Sequence, residues 1–233
     1  MKLAASTVLV LMGLSASAMA ADGPELADAL RIGETHVVVR HDAEDARAAE
    51  QIREALPSAV AAAERFIPLP RSIVITVYPT HEALEAASHR ANEPWMRAWA
   101  RSDTIDLQSP RTWSRGHASD GQMRQLLAHE LTHCALFQAL GRDPHAAAGV
   151  PAWFVEGMAT TSAGQRFEAG DRYAAADRAF RSLVAAYGED RVRALLLQMS
   201  KRGDFEQAFR EIIGVSPAEF EASPATAGAP RST

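Results

Sequence analysis

The sequence predicts an α+β protein in which a small mixed or antiparallel sheet lobe precedes a mainly helical lobe. Three observations carry that prediction. The β-branched run Ile73-Val74-Ile75-Thr76-Val77-Tyr78 suits a buried strand. The segment from Ser119 to Gly141 opens with a capping-box pattern and repeats apolar residues at helical spacing. Beyond Ala152 the chain reads as successive helices broken by Gly188, Gly203 and Gly214.

In chain order, the first twenty residues read as a secretory leader: Lys2 gives a positive start, Val8 to Leu14 an apolar core, and Ala18-Met19-Ala20 an A-x-A cleavage site. The mature chain is expected to begin at Ala21. Thr35 to Arg40 reads as a strand. Asp42 to Phe66 reads as a helix with Ile52, Leu56, Val60 and Ala63 near one face and Pro57 as a candidate kink. Pro68-Leu69-Pro70 interrupts before the strand Ile73 to Tyr78, and Thr80 to Ser88 is a short capped helix. Trp95 to Arg101 and Thr104 to Gln108 are expected to pair as an antiparallel hairpin around Ser102-Asp103, ended by Ser109-Pro110. Such an edge can bind an extended peptide as an added strand, or it can simply close the sheet. Trp95, Trp99 and Trp113 are candidates to line a cleft there, with packing as the alternative.

The helix from Ser119 holds His129-Glu130-Leu131-Thr132-His133. On a helix, histidines at i and i+4 share a face with Cα atoms about 6 Å apart, so both imidazoles reach one metal ion. Glu130 stands next to the first of them, where a carboxylate serves as general base toward water acidified by zinc rather than as a ligand. Two histidines leave zinc short of its usual three protein ligands. Glu156, on a helix from Ala152 to Ser162 with Pro151 suited to its first turn, is the acidic candidate that completes a His₂Glu set. Gly157 and Ala159 are small, which suits a close approach of that helix to the His129 helix. Thr160, one turn beyond Glu156, is a candidate to hydrogen-bond a ligand histidine.

These residues, with Pro151-Ala152-Trp153-Phe154-Val155-Glu156-Gly157-Met158-Ala159, resemble the short gluzincins of the peptidase MA-like superfamily, metallopeptidases with an HExxH helix and a distant glutamate ligand. Ile73 to Tyr78, Thr104 to Leu107 and Asp204 to Phe209 resemble its usual layout, so the similarity spans roughly residues 35 to 222. The resemblance implies a zincin-like fold with the zinc site between the two lobes. It implies that His129, His133 and Glu156 are zinc ligands and that Glu130 is the catalytic carboxylate. The family often places an acidic residue in the region of Thr160.

The remaining helices are read at Arg172 to Tyr187, Asp190 to Met199, Phe205 to Ile213 and Pro217 to Glu221. The expected organisation is a leader (1–20), a sheet lobe (21–118), a helical lobe (119–222) and a frayed tail (223–233). Peptide hydrolysis also needs a donor for the oxyanion, for which Tyr173, His117, His145 and Tyr187 are candidates. His36, His41, His81 and His89 lack metal-ligand spacing. Cys134, the single cysteine, has no partner for an internal disulfide and points about 100° away from His133, which suits a small buried residue.

A formal net charge of −5 argues against a broad nucleic-acid footprint. No cysteine precedes the leader cut to accept lipid, and no later apolar run reaches membrane-spanning length. The reading is an exported zinc metallopeptidase, periplasmic or secreted, acting on a peptide or protein. The alternatives are a zinc-stabilised binding module with little turnover, and a zinc hydrolase of a non-peptide amide or ester.

Overall fold

The computed structural model describes residues 24–113, 118–141, 149–168 and 170–223. The expected leader, loop residues 142–148, His117, His145 and tail residues 224–233 lie outside that set. The architecture is mixed α+β, with one five-stranded sheet and eight α-helices among the described residues.

Leu26–Ile32 (β1) and Thr35–His41 (β2) form an antiparallel hairpin. Its tight turn holds Gly33 at φ 60°, a left-handed conformation that costs glycine little. Ser72–Tyr78 (β3) pairs in parallel with β2, and Thr104–Gln108 (β5) in parallel with β3, while Ala98–Ala100 (β4) pairs antiparallel with β5. Parallel neighbours need long crossovers, and the helix Ala46–Ala63 (α1) supplies the one between β2 and β3. That helix runs unbroken past Pro57. His81–Ser88 (α2) starts at Thr80, whose hydroxyl accepts from the Ala83 N–H at 3.2 Å. The sheet order β1-β2-β3-β5-β4 leaves β4 outermost.

Period-two alternation places Val37, Val39, Ile73, Ile75, Val77, Ile105 and Leu107 on one fully buried face. Ile52 and Leu56 of α1, and Met123, Leu127, Leu131 and Cys134 of Asp120–Leu140 (α3), cover that face in a single core. Burying each large apolar side chain there contributes about 1.5–3 kcal/mol. The expected capping box of α3 is formed: Ser119 Oγ accepts from the Gln122 N–H at 3.2 Å, and the Ser119 N–H donates to Gln122 Oε1 at 2.9 Å. Every residue from Leu127 to Phe137 is buried, so α3 is covered on all sides.

A second core joins Leu136 of α3 and Phe66 to the helices Ala152–Ala163 (α4), Ala174–Tyr187 (α5), Glu189–Arg202 (α6), Phe205–Ile213 (α7) and Pro217–Glu221 (α8). Phe154 anchors it, edge-on to Phe180 at 5.3 Å and to Phe205 at 5.1 Å between ring centroids. Gly157 acts differently from the sequence expectation. A Cβ there would fall 2.4 Å from the Ala176 carbonyl oxygen and 2.6 Å from Phe180 Cβ, so its smallness admits α5 against α4 rather than α3. No helix among the described residues is long and apolar enough to cross a membrane.

Candidate metal centre

The middle of α3 presents His129 and His133 one turn apart, each 7 % exposed, toward the start of α4. Their Nε2 atoms lie 3.1 Å apart. Glu156, one turn into α4, brings Oε2 to 3.4 Å from His129 Nε2 and 3.6 Å from His133 Nε2. Three donor atoms therefore converge on one point, and the group can hold a metal ion. Glu156 Oε2 is buried without a hydrogen-bond partner. Burying a carboxylate oxygen in this way is costly unless a cation faces it, so the orphaned atom itself fits a metal site. Burial works against the Glu156 charge, but His133 and His129 outweigh it and hold the carboxyl below its usual range.

The two imidazoles are oriented by different means. His129 Nδ1 lies 3.0 Å from Gln165 Oε1, so the ring donates to the amide and leaves the Nε2 lone pair facing the donor set. Gln165 is in turn fixed: its N–H donates to the Thr160 carbonyl at 3.1 Å, and its carbonyl accepts from Arg181 Nη2 at 3.1 Å. Arg181 is clamped by Asp177, at 2.8 Å and 2.9 Å from the two carboxylate oxygens. Thr160 does not take the role expected of it. Its hydroxyl is directed to Asp177 Oδ1 at 3.2 Å and donates to the Gly157 carbonyl at 3.1 Å, away from both histidines. His133 relies on stacking, with the Phe137 ring parallel to within 7° at 5.6 Å, while its Nδ1 is buried and has no hydrogen-bond partner.

Glu130 is buried beside this group. Desolvation pushes its carboxyl up to about 7, against the pull of His129 and of a hydrogen bond from the Ala100 N–H, and with the Glu156 charge adding to the rise. The Ala100 bond locates the site relative to the sheet. Hydrogen bonds from the Arg101 N–H to the Thr104 carbonyl and from the Gln108 N–H to the Arg97 carbonyl join β4 to β5, so Ala100 turns its N–H to the free edge. The outermost strand thus runs past the donor set.

A cleft of about 380 Å³ opens over these residues, walled by β4, α3, α4 and the segment entering α5. Trp95 and Trp99 line it, the cleft role rather than the packing alternative. Trp113 does not: its indole N–H donates to the Gln108 carbonyl at 3.1 Å and its ring packs on the sheet core. Of the two oxyanion candidates among the described residues, Tyr173 is the one at the site, edge-on to His129 at 5.9 Å between centroids. Burial and the nearby Glu156 charge raise its hydroxyl above the ordinary value, so it keeps its proton and can donate. Tyr187 packs against Phe220 at 6.3 Å in the helical core instead. Cys134 is fully buried in the sheet core, its Sγ 3.8 Å from the Thr104 carbonyl, and takes no part in the donor set.

No protein-family model matches this chain, and no curated protein is similar enough to it to indicate a family.

Proposed function

We propose that this chain is an exported zinc-dependent metallopeptidase of the gluzincin kind, with a zincin-like arrangement of sheet edge, histidine helix and glutamate helix. The observation that carries the reading is the convergence of His129, His133 and Glu156 with Glu130 alongside, in one cleft. Ligand bonds of about 2.0–2.2 Å in a tetrahedron put neighbouring donors about 3.3–3.6 Å apart. Of the observed separations, 3.4 and 3.6 Å match that edge and 3.1 Å falls just short of it. Two imidazoles and one carboxylate, without a thiolate, are a donor set that suits catalytic zinc.

Zinc held by these residues supplies a Lewis acid that polarises a carbonyl and makes water more acidic. The protein groups do the rest. Glu130, held by the Ala100 N–H, receives a proton from the attacking water and delivers it to the leaving amine. Tyr173 donates its hydroxyl hydrogen to the oxygen on which negative charge develops. The free edge of β4 offers backbone donors and acceptors to an extended chain, which would align a peptide bond with Glu130. Export rests on the leader read at residues 1–20, and the net charge of −5 supports a peptide or protein substrate over nucleic acid.

Elemental analysis of the purified protein, together with cleavage of an unstructured polypeptide, tests this function. Near-stoichiometric zinc is expected, lost in Glu156→Ala and kept in Glu130→Gln, with cleavage abolished in both. Protein that binds no metal after reconstitution would remove the basis of the site. Zinc without turnover on any peptide, ester or amide would favour a metal-stabilised binding module.

A further inference from the structure

Five charged side chains besides the donor histidines face the cleft, and four of them are already engaged. Glu156 belongs to the donor set, Glu130 is held by Ala100, and Arg90 and Glu93 pair at 3.1 Å. Arg172 is the exception. Its guanidinium carbon lies 3.5 Å from the centroid of the Trp95 ring and 4.9 Å from that of Tyr173, and no carboxylate pairs with it among the described residues. Trp95 is itself 41 % exposed and Arg172 is exposed too, so the stacked pair is open to solvent and to anything that enters the cleft.

At 3.5 Å a planar guanidinium has room only to lie flat on the indole, which leaves its N–H edge pointing sideways. A cation fixed in this manner has already lost much of its rotamer freedom, and its fork of donors matches the two oxygens of a carboxylate. Tyr173, the next residue, touches the ring of His129. The spacings from His129 to Tyr173 and from Tyr173 to Arg172 together amount to about three extended residues.

We infer that Arg172, seated on Trp95, is a binding site for a substrate carboxylate, so that the preferred substrates are peptides carrying a carboxylate within about three residues of the bond that is cut. This rests on the peptidase reading above and names its substrate class. The carboxylate comes either from the C-terminus of the substrate or from an aspartate or glutamate side chain. Both present the same two oxygens to the guanidinium.

The test uses zinc-loaded protein and matched peptide pairs: glutamate against glutamine at each of three positions on either side of the cleaved bond, and free-acid against amidated C-termini. Cleavage is followed by mass spectrometry, and binding to Glu130→Gln, which does not turn over, by calorimetry. The carboxylate member of at least one pair is expected to be preferred fivefold or more in both readouts. Arg172→Gln brings that ratio to within about twofold, and Arg172→Lys, a point charge without the fork, retains only part of it. A preference confined to the free-acid pair identifies an exopeptidase-like site, and one confined to glutamate identifies a side-chain pocket. Cleavage with no carboxylate preference, or a preference that survives Arg172→Gln, overturns the inference and leaves the peptidase standing. Arg172-dependent binding without cleavage by the wild-type protein leaves the carboxylate site standing and removes the peptidase. Neither binding nor cleavage of any pair overturns both.

Discussion

Gln165 and His129 meet at 3.0 Å although 36 residues separate them in the chain. A neutral amide oxygen therefore sets the tautomer of the first donor histidine, and the amide is anchored through its own backbone to Thr160 and Arg181. Hydrogen bonding to the remote ring nitrogen raises the basicity of the one that faces a metal.

Gln165→Ala is expected to weaken zinc binding by about 10–100-fold while leaving the fold intact. Gln165→Glu, which places a carboxylate on the same ring nitrogen, is expected to bind zinc more tightly than Gln165→Ala and at least as tightly as the wild type. Competition with a chromophoric chelator measures both. Equal affinity in all three proteins would show that stacking and helix geometry alone orient His129.

Glu130 predicts a pH-dependent stability in the metal-free protein. Its folded-state carboxyl titrates at about 7 against an ordinary value of 4.5, so between those values the folded state binds the proton more tightly than the unfolded one. The contribution of this group to stability is therefore greatest below about 4.5 and falls as pH rises through about 7. At about 1.4 kcal/mol per unit, Glu130→Gln should gain up to roughly 3 kcal/mol over the wild type near pH 8 and much less near pH 5. Urea unfolding of both metal-free proteins across that range checks the sign. A difference that does not vary with pH would refute it.

Gly157→Ala is expected to cost about 3 kcal/mol, because the added methyl meets the Ala176 carbonyl and Phe180 Cβ, neither of which is the flexible end of a side chain. Gly121→Ala is the control. Its methyl would find only Ser119 Oγ, at 3.9 Å, so the variant should be neutral or more stable by up to about 1 kcal/mol. Chemical denaturation of the two variants separates a close helix contact from the general effect of replacing glycine.

Burial and the nearby charges of Glu130 and Asp103 drive the Cys134 thiol well above its ordinary value. Native protein at about pH 8 is expected to resist a disulfide-exchange reagent and to release one equivalent of chromophore only after unfolding in guanidinium. Prompt reaction of the folded protein would mean that the sheet core opens readily around α3.

Much of the scaffold was legible because its signals are local. The Ser119 cap, the β-branched strand at residue 73 and the short capped helix that starts at Thr80 each act within a few residues, and each is formed. β1 was not legible. Its inward side chains are at best half-buried on the outer strand, and Asp28 takes one of those positions beside Leu30 and Ile32, so the fold is set there by pairing with β2. The parallel registers β2–β3 and β3–β5 are equally silent in sequence, since helices and loops separate the partners. At the candidate metal centre, helical spacing alone announces His129 and His133. Gln165 lies in a loop without periodicity, and nothing marks it until α4 returns the chain to His129.

The burial of α3 from every side has a kinetic meaning. Leu131 and Cys134 lie in the sheet core and Leu136 in the helical core, so neither core can loosen without releasing part of the helix that bears the two histidines. Amide hydrogens between Ala128 and Leu136 should then be among the last in the protein to exchange with solvent, through openings close to global unfolding. A chelator would reach a bound ion through the cleft, over the side chains of Glu156 and Tyr173, long before the backbone of α3 gave way.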